Sequence, residues 1–203
     1  MGILERKDRE KREIKKMVLD SAMQLFLEEG YKNVTIRKIA EQIEYSPATI
    51  YLYFKDKDEI LSTLRKMAFE KFYEFQISGH VIEDPVERLT AQGRGYFRFA
   101  VENPGYYELM FFLKEPMEKI HKPEDFVSEM DSYEILKQNV KSCIDAGRMR
   151  TNNVDATSFA LWSYVHGIAS LVIKRGFLMP KEQLDYLVKE SFEILKNTFF
   201  IEK

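Results

Sequence analysis

Two helix starts follow each other closely in the segment VTIRKIAEQIEYSPATIYLYF. Thr35 is a hydroxyl residue with one apolar residue just before it and another four positions after it, and Ser46 repeats this arrangement eleven residues later. A hydroxyl cap flanked in this way satisfies free backbone N–H groups and packs the two apolar residues together at the start of a helix. The spacing predicts two short helices in succession, over residues 36–43 and 47–53.

The second of these helices has only two turns and is too short to be stable alone, so it has to pack on its neighbours through Ile50 and Phe54. The first helix would turn an apolar face inward, formed by Ile36, Ile39, Ala40 and Ile43. Two short helices joined by a tight turn are the geometry of a helix-turn-helix, whose second helix enters the major groove of DNA. The residues then left exposed carry hydroxyls and small groups suited to phosphates and base edges: Ser46, Pro47, Ala48, Thr49, Tyr51, Leu52 and Tyr53.

The rest of the chain shows apolar residues at helical spacing almost throughout, without an alternating run of β-branched residues between turn signals. This pattern predicts an all-α fold of about nine helices. Asp56 and Glu59 open a helix that crosses the predicted boundary between an N-terminal domain, residues 1–57, and a larger helical domain, residues 58–203. The last three helices are predicted over residues 123–147, 154–175 and 181–200.

The charged side chains nearly cancel, with 31 basic and 33 acidic residues in the chain. Up to Lys57 there are 12 basic and 10 acidic residues, against 19 and 23 in the remainder, which points weakly to an anion-binding N-terminal end. Cys143 is the only cysteine and the histidines are scattered, so the sequence offers neither a disulfide nor a metal-ligand spacing. The absence of a nucleophile-and-base motif and of a phosphate-binding loop argues against catalytic residues and an enzyme.

The N-terminus lacks the apolar core of a signal peptide, and no uninterrupted apolar run approaches the ~18 residues of a membrane span. These features predict a cytoplasmic protein without a membrane partner.

The polar lead-in of the first helix carries Arg6, Arg9 and Arg12, which either form a solvated helix face or touch the DNA that flanks a binding site.

The stretch GYKNVTIRKIAEQIEYSPATIYLYFKDKDEIL resembles the DNA-binding signature of the TetR family of transcriptional regulators. The match is dense over residues 9–61 and far more specific than a lone helix-turn-helix pattern. The resemblance implies a homodimer in which each N-terminal domain reads half of a palindromic double-stranded DNA operator. It also implies that the larger domain binds a small-molecule inducer, without a cofactor.

The residues implied to contact DNA are Thr35 and Arg37 on the supporting helix, Pro47, Ala48 and Thr49 facing the bases, and Tyr51, Tyr53 and Lys57 at the phosphates. Ser46 is a further DNA-binding candidate, through its exposed hydroxyl. Lys57 also stands at a helix start, where its charge and the free N–H groups favour a phosphate. The chain departs from the family at Glu44, where glycine is usual in the turn. A positive φ there strains a non-glycine residue by roughly 1–2 kcal/mol.

The C-terminal domain is rich in aromatic residues and methionines, enough to line an apolar pocket of the ~300–1,000 Å³ that a small-molecule site needs. The candidates for contact with a small apolar or amphipathic ligand are Met67, Tyr96, Phe99, Tyr107, Met110, Phe112, Met130, Phe159, Trp162 and His166. Most such residues belong more often to a packed core than to a cavity wall. His166, on a largely apolar helix, is either a satisfied core histidine, the favoured interpretation, or a polar group of the pocket.

The helix predicted over residues 154–175 carries small residues three or four positions apart along one edge, namely Ala160, Ser163, Gly167 and Ser170. With the last helix, this edge predicts half of a four-helix bundle shared by two subunits, the alternative being packing within one chain. A two-fold protein suits a palindromic site.

Together these features predict a TetR-like repressor that a small ligand releases from its operator. The alternative is a DNA-binding regulator without a small-molecule inducer, acting as an activator or under the control of a protein partner.

Overall fold

A computed structural model describes residues 3–113 and 127–201, apart from the side chains of residues 3, 4, 127–131 and 177. Within those residues the fold is all-α, which confirms the predicted fold class, and the one β feature is an isolated antiparallel bridge between Met149 and Phe200. The helices are α1 (Ile3–Glu29), α2 (Ile36–Gln42), α3 (Pro47–Tyr51), α4 (Lys57–Gln76), α5 (Pro85–Glu102), α6 (Pro104–Phe111), α7 (Val127–Asp145), α8 (Val154–Arg175) and α9 (Lys181–Phe199).

The C-terminal helices lie close to their predicted positions. The helix predicted over residues 154–175 is confirmed as α8, and α9 ends one residue earlier than predicted. α7 ends at Asp145 because Gly147 takes a positive φ of 65° and the N–H of Arg148 bonds the carbonyl of Cys143 at 2.9 Å. This Schellman motif closes the helix two residues before the predicted end. The predicted start of α7 lies outside the described residues.

The chain divides by packing into two compact units, and unit 1 joins Met1–Phe69 with Gly105–Phe126. Its described core draws on α1, α2, α3, α4 and α6, and its fully buried residues include Val18, Phe26, Val34, Ile39, Ile50, Ile60, Leu61 and Leu109. The division by packing falls inside α4, between Phe69 and Glu70, whereas the predicted domain boundary lies at residues 57/58. α4 therefore contributes residues to both units.

Unit 2 joins Glu70–Pro104 with Val127–Lys203. In this unit α5 packs against α7 and α8, and α8 packs against α9. Asp84 caps α5 by accepting hydrogen bonds from the backbone N–H groups of its first turn, with Pro85 at the first helical position. α9 differs from α5 and α8 because none of its residues is buried within the chain.

Gly95 allows α5 to lie very close to the end of α4 in unit 2. A Cβ atom at this position would stand 2.3 Å from the carbonyl oxygen of Phe75 and 3.1 Å from its carbonyl carbon. Both are backbone atoms, which move only if a helix moves. The packing of α5 in this unit therefore depends on glycine at position 95.

Candidate functional site

The two predicted helix starts are both present in unit 1. Thr35 accepts a hydrogen bond from the N–H of Lys38, and Ser46 accepts one from the N–H of Thr49, each at 3.2 Å. The helices they open are shorter than predicted, since α2 ends one residue and α3 two residues before the predicted ends. α3 is followed by a 3₁₀-type turn, in which the N–H groups of Leu52 and Tyr53 bond carbonyl oxygens three residues earlier.

One side of α3 packs into unit 1 and the other faces outward. Ile50 and Phe54 are buried, as predicted. Among the residues predicted to contact DNA around α3, Ser46, Pro47, Ala48 and Tyr51 are exposed and Thr49 is half-buried, whereas Tyr53 is half-buried and packs against the core of unit 1. Tyr45, expected to pack against Ile50, is instead 39% exposed, whereas Val34 before the first cap is fully buried. The arrangement before α3 therefore leaves an aromatic ring beside the helix start.

The turn between α2 and α3 is a Schellman motif with Glu44 in the place of the usual glycine. The N–H of Tyr45 bonds the carbonyl of Ala40 at 3.0 Å, and the N–H of Glu44 bonds the carbonyl of Glu41 at 3.3 Å. Glu44 has a φ of 58°, the one positive φ among the described non-glycine residues. The strain that the sequence predicts at this position is therefore present in the backbone.

We expect the substitution Glu44→Gly to raise the free energy of unfolding by about 1 kcal/mol, because glycine adopts a positive φ without a Cβ clash. For a chain of this size that corresponds to a rise in Tm of roughly 2–4 °C, measured by thermal unfolding. Glu44→Ala is the matched control, since it removes the carboxylate but keeps the Cβ atom. Equal stabilisation by both variants would contradict the strain and point to the charge.

Two of the cations predicted to contact DNA are held by contacts within unit 1. Lys57 donates from Nζ to the carbonyl oxygens of Tyr31 at 2.8 Å and Val34 at 3.0 Å, and Nζ lies 4.2 Å from the centroid of the Tyr31 ring. Arg37 is exposed and pairs with Glu41 at 2.9 Å between Nε and Oε1. These contacts fix the position of both cations, while their contact with a phosphate stays a prediction.

Unit 2 contains a mainly apolar cavity of about 120 Å³. It is lined from the end of α4, from α5, α7, α8 and α9 and from the residue after α9: Gln76, Leu89, Thr90, Gln92, Gly93, Arg94, Tyr96, Leu136, Leu161, Trp162, Val165, Phe192, Glu193, Leu195, Lys196 and Phe200. Trp162 is the only tryptophan of the chain, so tryptophan fluorescence is specific to the wall of this cavity.

Four polar side chains, called here the amide relay, form a row of hydrogen bonds that ends in the cavity. Arg88 donates from Nε to Oδ1 of Asn139 at 3.0 Å, and Asn139 donates from Nδ2 to Oε1 of Gln92 at 2.9 Å. Gln92 then donates from Nε2 to Oε1 of Gln76 at 2.8 Å. Burying an amide is unfavourable unless its polar atoms form hydrogen bonds. The relay provides such bonds and thereby connects the last residue of α4 to α5 and α7.

Part of the predicted ligand set meets at the cavity. Tyr96 and Trp162 line it. His166 lies beside them, with Nδ1 2.8 Å from the hydroxyl oxygen of Tyr96, and burial lowers the pKa of His166, which keeps the imidazole neutral at pH 7. Phe159 contacts Trp162 with 6.3 Å between ring centroids but is mostly exposed. His166 is thus a hydrogen-bonded neighbour of the cavity wall.

Five other predicted ligand residues, all with described side chains, do not line this cavity. Phe99 is core in unit 2, packed edge-on against the rings of Phe72 and Phe75. Four more belong to unit 1, namely Met67, Tyr107, Met110 and Phe112. Tyr107 and Met110 are buried there, which fits the core interpretation. Met130 falls in α7, but its side chain lies outside the described residues.

The polar part of the cavity was not predicted from the sequence. Gln92 had a usable signal, because it falls on the apolar stripe of α5 formed by Val86, Leu89, Tyr96 and Phe99. A polar residue on such a stripe indicates a buried hydrogen bond or a binding site. Gln76 had no such signal, since it is the last residue of α4 and its burial depends on residues distant in sequence.

The environment of the one cysteine of the chain does not support a catalytic role. Cys143 is buried and donates from Sγ to the carbonyl oxygen of Pro85 at 3.1 Å, and burial raises the pKa of its thiol to about 11. The thiolate is the nucleophilic form, so this thiol is inert near pH 7. In the described part of the chain, no group of three His, Cys, Asp or Glu side chains is placed to hold a metal ion.

Comparison with known proteins gives a consistent result over most of the chain. A family model described as "Bacterial regulatory proteins, tetR family" matches residues 18–64, which contain α2 and α3. A second model, described as "Tetracyclin repressor-like, C-terminal domain", matches residues 89–197, which contain most of the cavity lining.

Full-length relatives agree with these models. The chain is 26% identical over 180 residues to the uncharacterized transcriptional regulator YobS of Bacillus subtilis (strain 168), covering 88% of this chain and 87% of the relative. It is 25% identical over 189 residues to the transcriptional regulator HbdR of Aromatoleum sp. (strain CIB), covering 92% and 80%. The fold is also that of the regulator PfmR from Thermus thermophilus, with a TM-score of 0.74 at 18% identity over 92% of this chain and 96% of that one.

Proposed function

This chain belongs to the TetR family of transcriptional regulators, and on that premise we propose that it represses transcription by binding a palindromic operator as a homodimer. The observation that carries the proposal is the outward side of α3. Ile50 and Phe54 anchor the helix in unit 1, while the residues around its N-terminus remain exposed. The N-terminal residues of a recognition helix are those that reach base edges in the major groove.

The proposed division of labour on DNA follows the chemistry of each side chain. Pro47, Ala48 and Thr49 would meet base edges and thymine methyl groups, since they are small and stand at the start of α3. Tyr51 and Tyr53 offer phenolic hydroxyls, and Arg37 and Lys57 offer charge, to the phosphates. These phosphate contacts would position α3 without carrying sequence information.

The proposed dimer rests on apolar side chains that one chain leaves exposed. α9 buries no residue within its own chain, and Ile194 on it is 58% exposed. On α8, Leu171 is 65% exposed, and a Cβ atom at Gly167 would meet nothing within 4 Å. Partner helices packed along this side would cover the apolar surface and leave room at Gly167 for close approach.

α8 is also long and apolar enough, by length and composition alone, to span a membrane. Packing of α8 against α5, α7 and α9, together with the proposed partner subunit, accounts for the same apolar character. We therefore place the protein in the cytoplasm, as the sequence predicts, with DNA and a second subunit as its partners.

The proposed signal is a small ligand in the cavity of unit 2. α4 supports a mechanism, because it begins at Lys57 in unit 1 and its last residue, Gln76, lines the cavity. A ligand that fits the cavity better when α4 is displaced would favour a form in which the two recognition helices of the dimer are wrongly spaced. Such a ligand acts only through its preference for that form over the DNA-binding form.

Selection from random duplex DNA at two salt concentrations tests the proposed function. We expect one palindromic sequence to be retained by the purified protein. If Arg37 and Lys57 of each protomer contact phosphates, the logarithm of affinity should fall with the logarithm of salt concentration with a slope of roughly −3.6. Retention of DNA without a common sequence would contradict sequence-specific regulation by α3.

Two variants separate the proposed roles in the same assay. Arg37→Gln should keep the selected sequence and make the salt slope shallower by about 2, one unit for each protomer. Thr49→Ala should keep the slope and relax the preference at one position in each half of the palindrome. An operator that is bound in the same way with and without small molecules would favour the regulator without an inducer.

A further inference from the structure

The amide relay has a fixed direction, and it is set by Arg88. An arginine guanidinium can only donate hydrogen bonds, so the atom of Asn139 that faces Arg88 Nε must be the oxygen. The nitrogen of Asn139 then faces Gln92, which must accept through its own oxygen, and the nitrogen of Gln92 in turn requires the oxygen of Gln76. The side-chain orientation of all three amides therefore follows from one cation.

The relay leaves a buried donor in the cavity. Gln76 is 6% exposed and lines the cavity, and its Nε2 has no hydrogen-bond acceptor within the described part of the chain. An unsatisfied buried amide N–H costs about 1–3 kcal/mol, and a group that accepts a hydrogen bond from it removes this cost, less the hydration that the accepting group itself loses. Reversing the amide would not help, because Gln92 already donates to the Gln76 oxygen.

We propose that Gln76 selects the ligand of this cavity, and that the ligand is a small apolar molecule with a neutral carbonyl oxygen that accepts a hydrogen bond from Gln76 Nε2. This inference rests on the proposed ligand-responsive function and gives the chemical class of the ligand. Eight of the fifteen other residues in the cavity wall have apolar side chains, among them Leu89, Trp162 and Phe192. Such a wall suits the hydrocarbon part of the ligand.

A neutral oxygen fits better than a carboxylate at this position. The charged side chains of the lining, Arg94, Glu193 and Lys196, are exposed, whereas Gln76 is buried. A carboxylate beside Gln76 would lose its hydration and receive one neutral donor in return, which is unfavourable. The cavity of about 120 Å³ is close to the ~150 Å³ that accommodates benzene, so a single six-membered ring is the right size of probe.

The test compares cyclohexanone with methylenecyclohexane, which has nearly the same shape but no acceptor, by calorimetric titration of the full-length protein. We expect cyclohexanone to bind about ten-fold more tightly. In Gln76→Glu, measured above the pKa of the new carboxyl group, which burial raises, the side chain still accepts from Gln92 but offers no donor, so this preference should disappear. A second reading is the side-chain amide signal of Gln76 in ¹⁵N-labelled protein, which should shift with the ketone alone.

Thr90→Val is the matched control, because Thr90 also lines the cavity but its hydroxyl already donates to the carbonyl of Val86 at 2.7 Å. This variant should keep the ketone preference. Equal binding of both probes by the native protein, no binding of either, or tighter binding of cyclohexanecarboxylate would each overturn the proposal. If the palindrome is selected but the ketone preference is absent, only this inference fails. If the preference is present but no operator is selected, the regulatory function fails and the ligand site stands.

Discussion

Gly95→Ala should lower the free energy of unfolding by about 3 kcal/mol, which for a chain of 203 residues corresponds to a fall in Tm of roughly 6–12 °C. The added methyl group would stand 2.3 Å from the carbonyl oxygen of Phe75, well inside van der Waals contact. Because the obstacle is backbone, a side-chain rotation cannot relieve the clash. α5 would have to move away from the end of α4 in unit 2, and thermal unfolding measures the loss.

Gly93→Ala provides the control for this prediction on the same helix. A Cβ atom at Gly93 would meet its nearest neighbours, in Val165 and Phe192, at an ordinary 3.9 Å. Alanine is favoured over glycine inside a helix by roughly 0.5–1 kcal/mol, so this variant should be slightly more stable than the native protein. The same substitution at two positions two residues apart should thus change the free energy of unfolding in opposite directions. Destabilisation of similar size by both would mean that α5 does not depend on close approach at position 95.

Ile194→Glu should raise the dissociation constant of the proposed dimer by about 100-fold or more. A two-fold interface contains the substituted residue once from each subunit, so its effect on the dissociation free energy is doubled. A buried carboxylate without a partner is strongly unfavourable. Within a single chain Ile194 is already 58% exposed, so the stability of the isolated chain should change little. Sedimentation equilibrium measures the dissociation, and operator affinity should fall with it because a monomer engages one half-site.

Lys189→Glu is the control for the interface, since it makes an exposed residue of α9 acidic on a different side of the helix. It should leave the dimer intact. A dimer that withstands Ile194→Glu over the concentration range of the native protein would contradict an interface on this face of α9. Dissociation caused equally by both variants would indicate a general effect of negative charge instead.

Local signals made the N-terminal part predictable. The caps Thr35 and Ser46, and the apolar residues placed around them, act within a few positions of each other, so the starts of α2 and α3 follow from local sequence, while α3 also needs the packing of Ile50 to be stable. The turn also followed from local pattern, since a chain that reverses there needs a positive φ whether or not it has glycine. Gly147 and Glu44 close two helices with the same pattern of hydrogen bonds and a positive φ. Glycine adopts this φ without strain, whereas glutamate is strained there.

The cavity was harder to predict because it depends on which helices meet. Met67 and Tyr107 have the composition of a pocket wall, but both belong to unit 1, whereas the cavity is in unit 2. The prediction was right for Tyr96 and Trp162, which line the cavity, because both lie in the unit that contains it. The type of a side chain does not reveal the unit to which it belongs. Gln76 becomes informative only when its contacts with distant residues are known.

The dependence of the amide relay on Arg88 has a consequence for how ligand preference evolves. Arg88 is not part of the cavity wall, yet it decides which end of the Gln76 amide points inward. An acceptor in its place would turn each amide of the row around in succession and present an oxygen to the ligand instead of an N–H group. Two related regulators with identical walls would then respond to molecules of opposite hydrogen-bonding character, and the inherited difference would lie at a residue that no ligand touches.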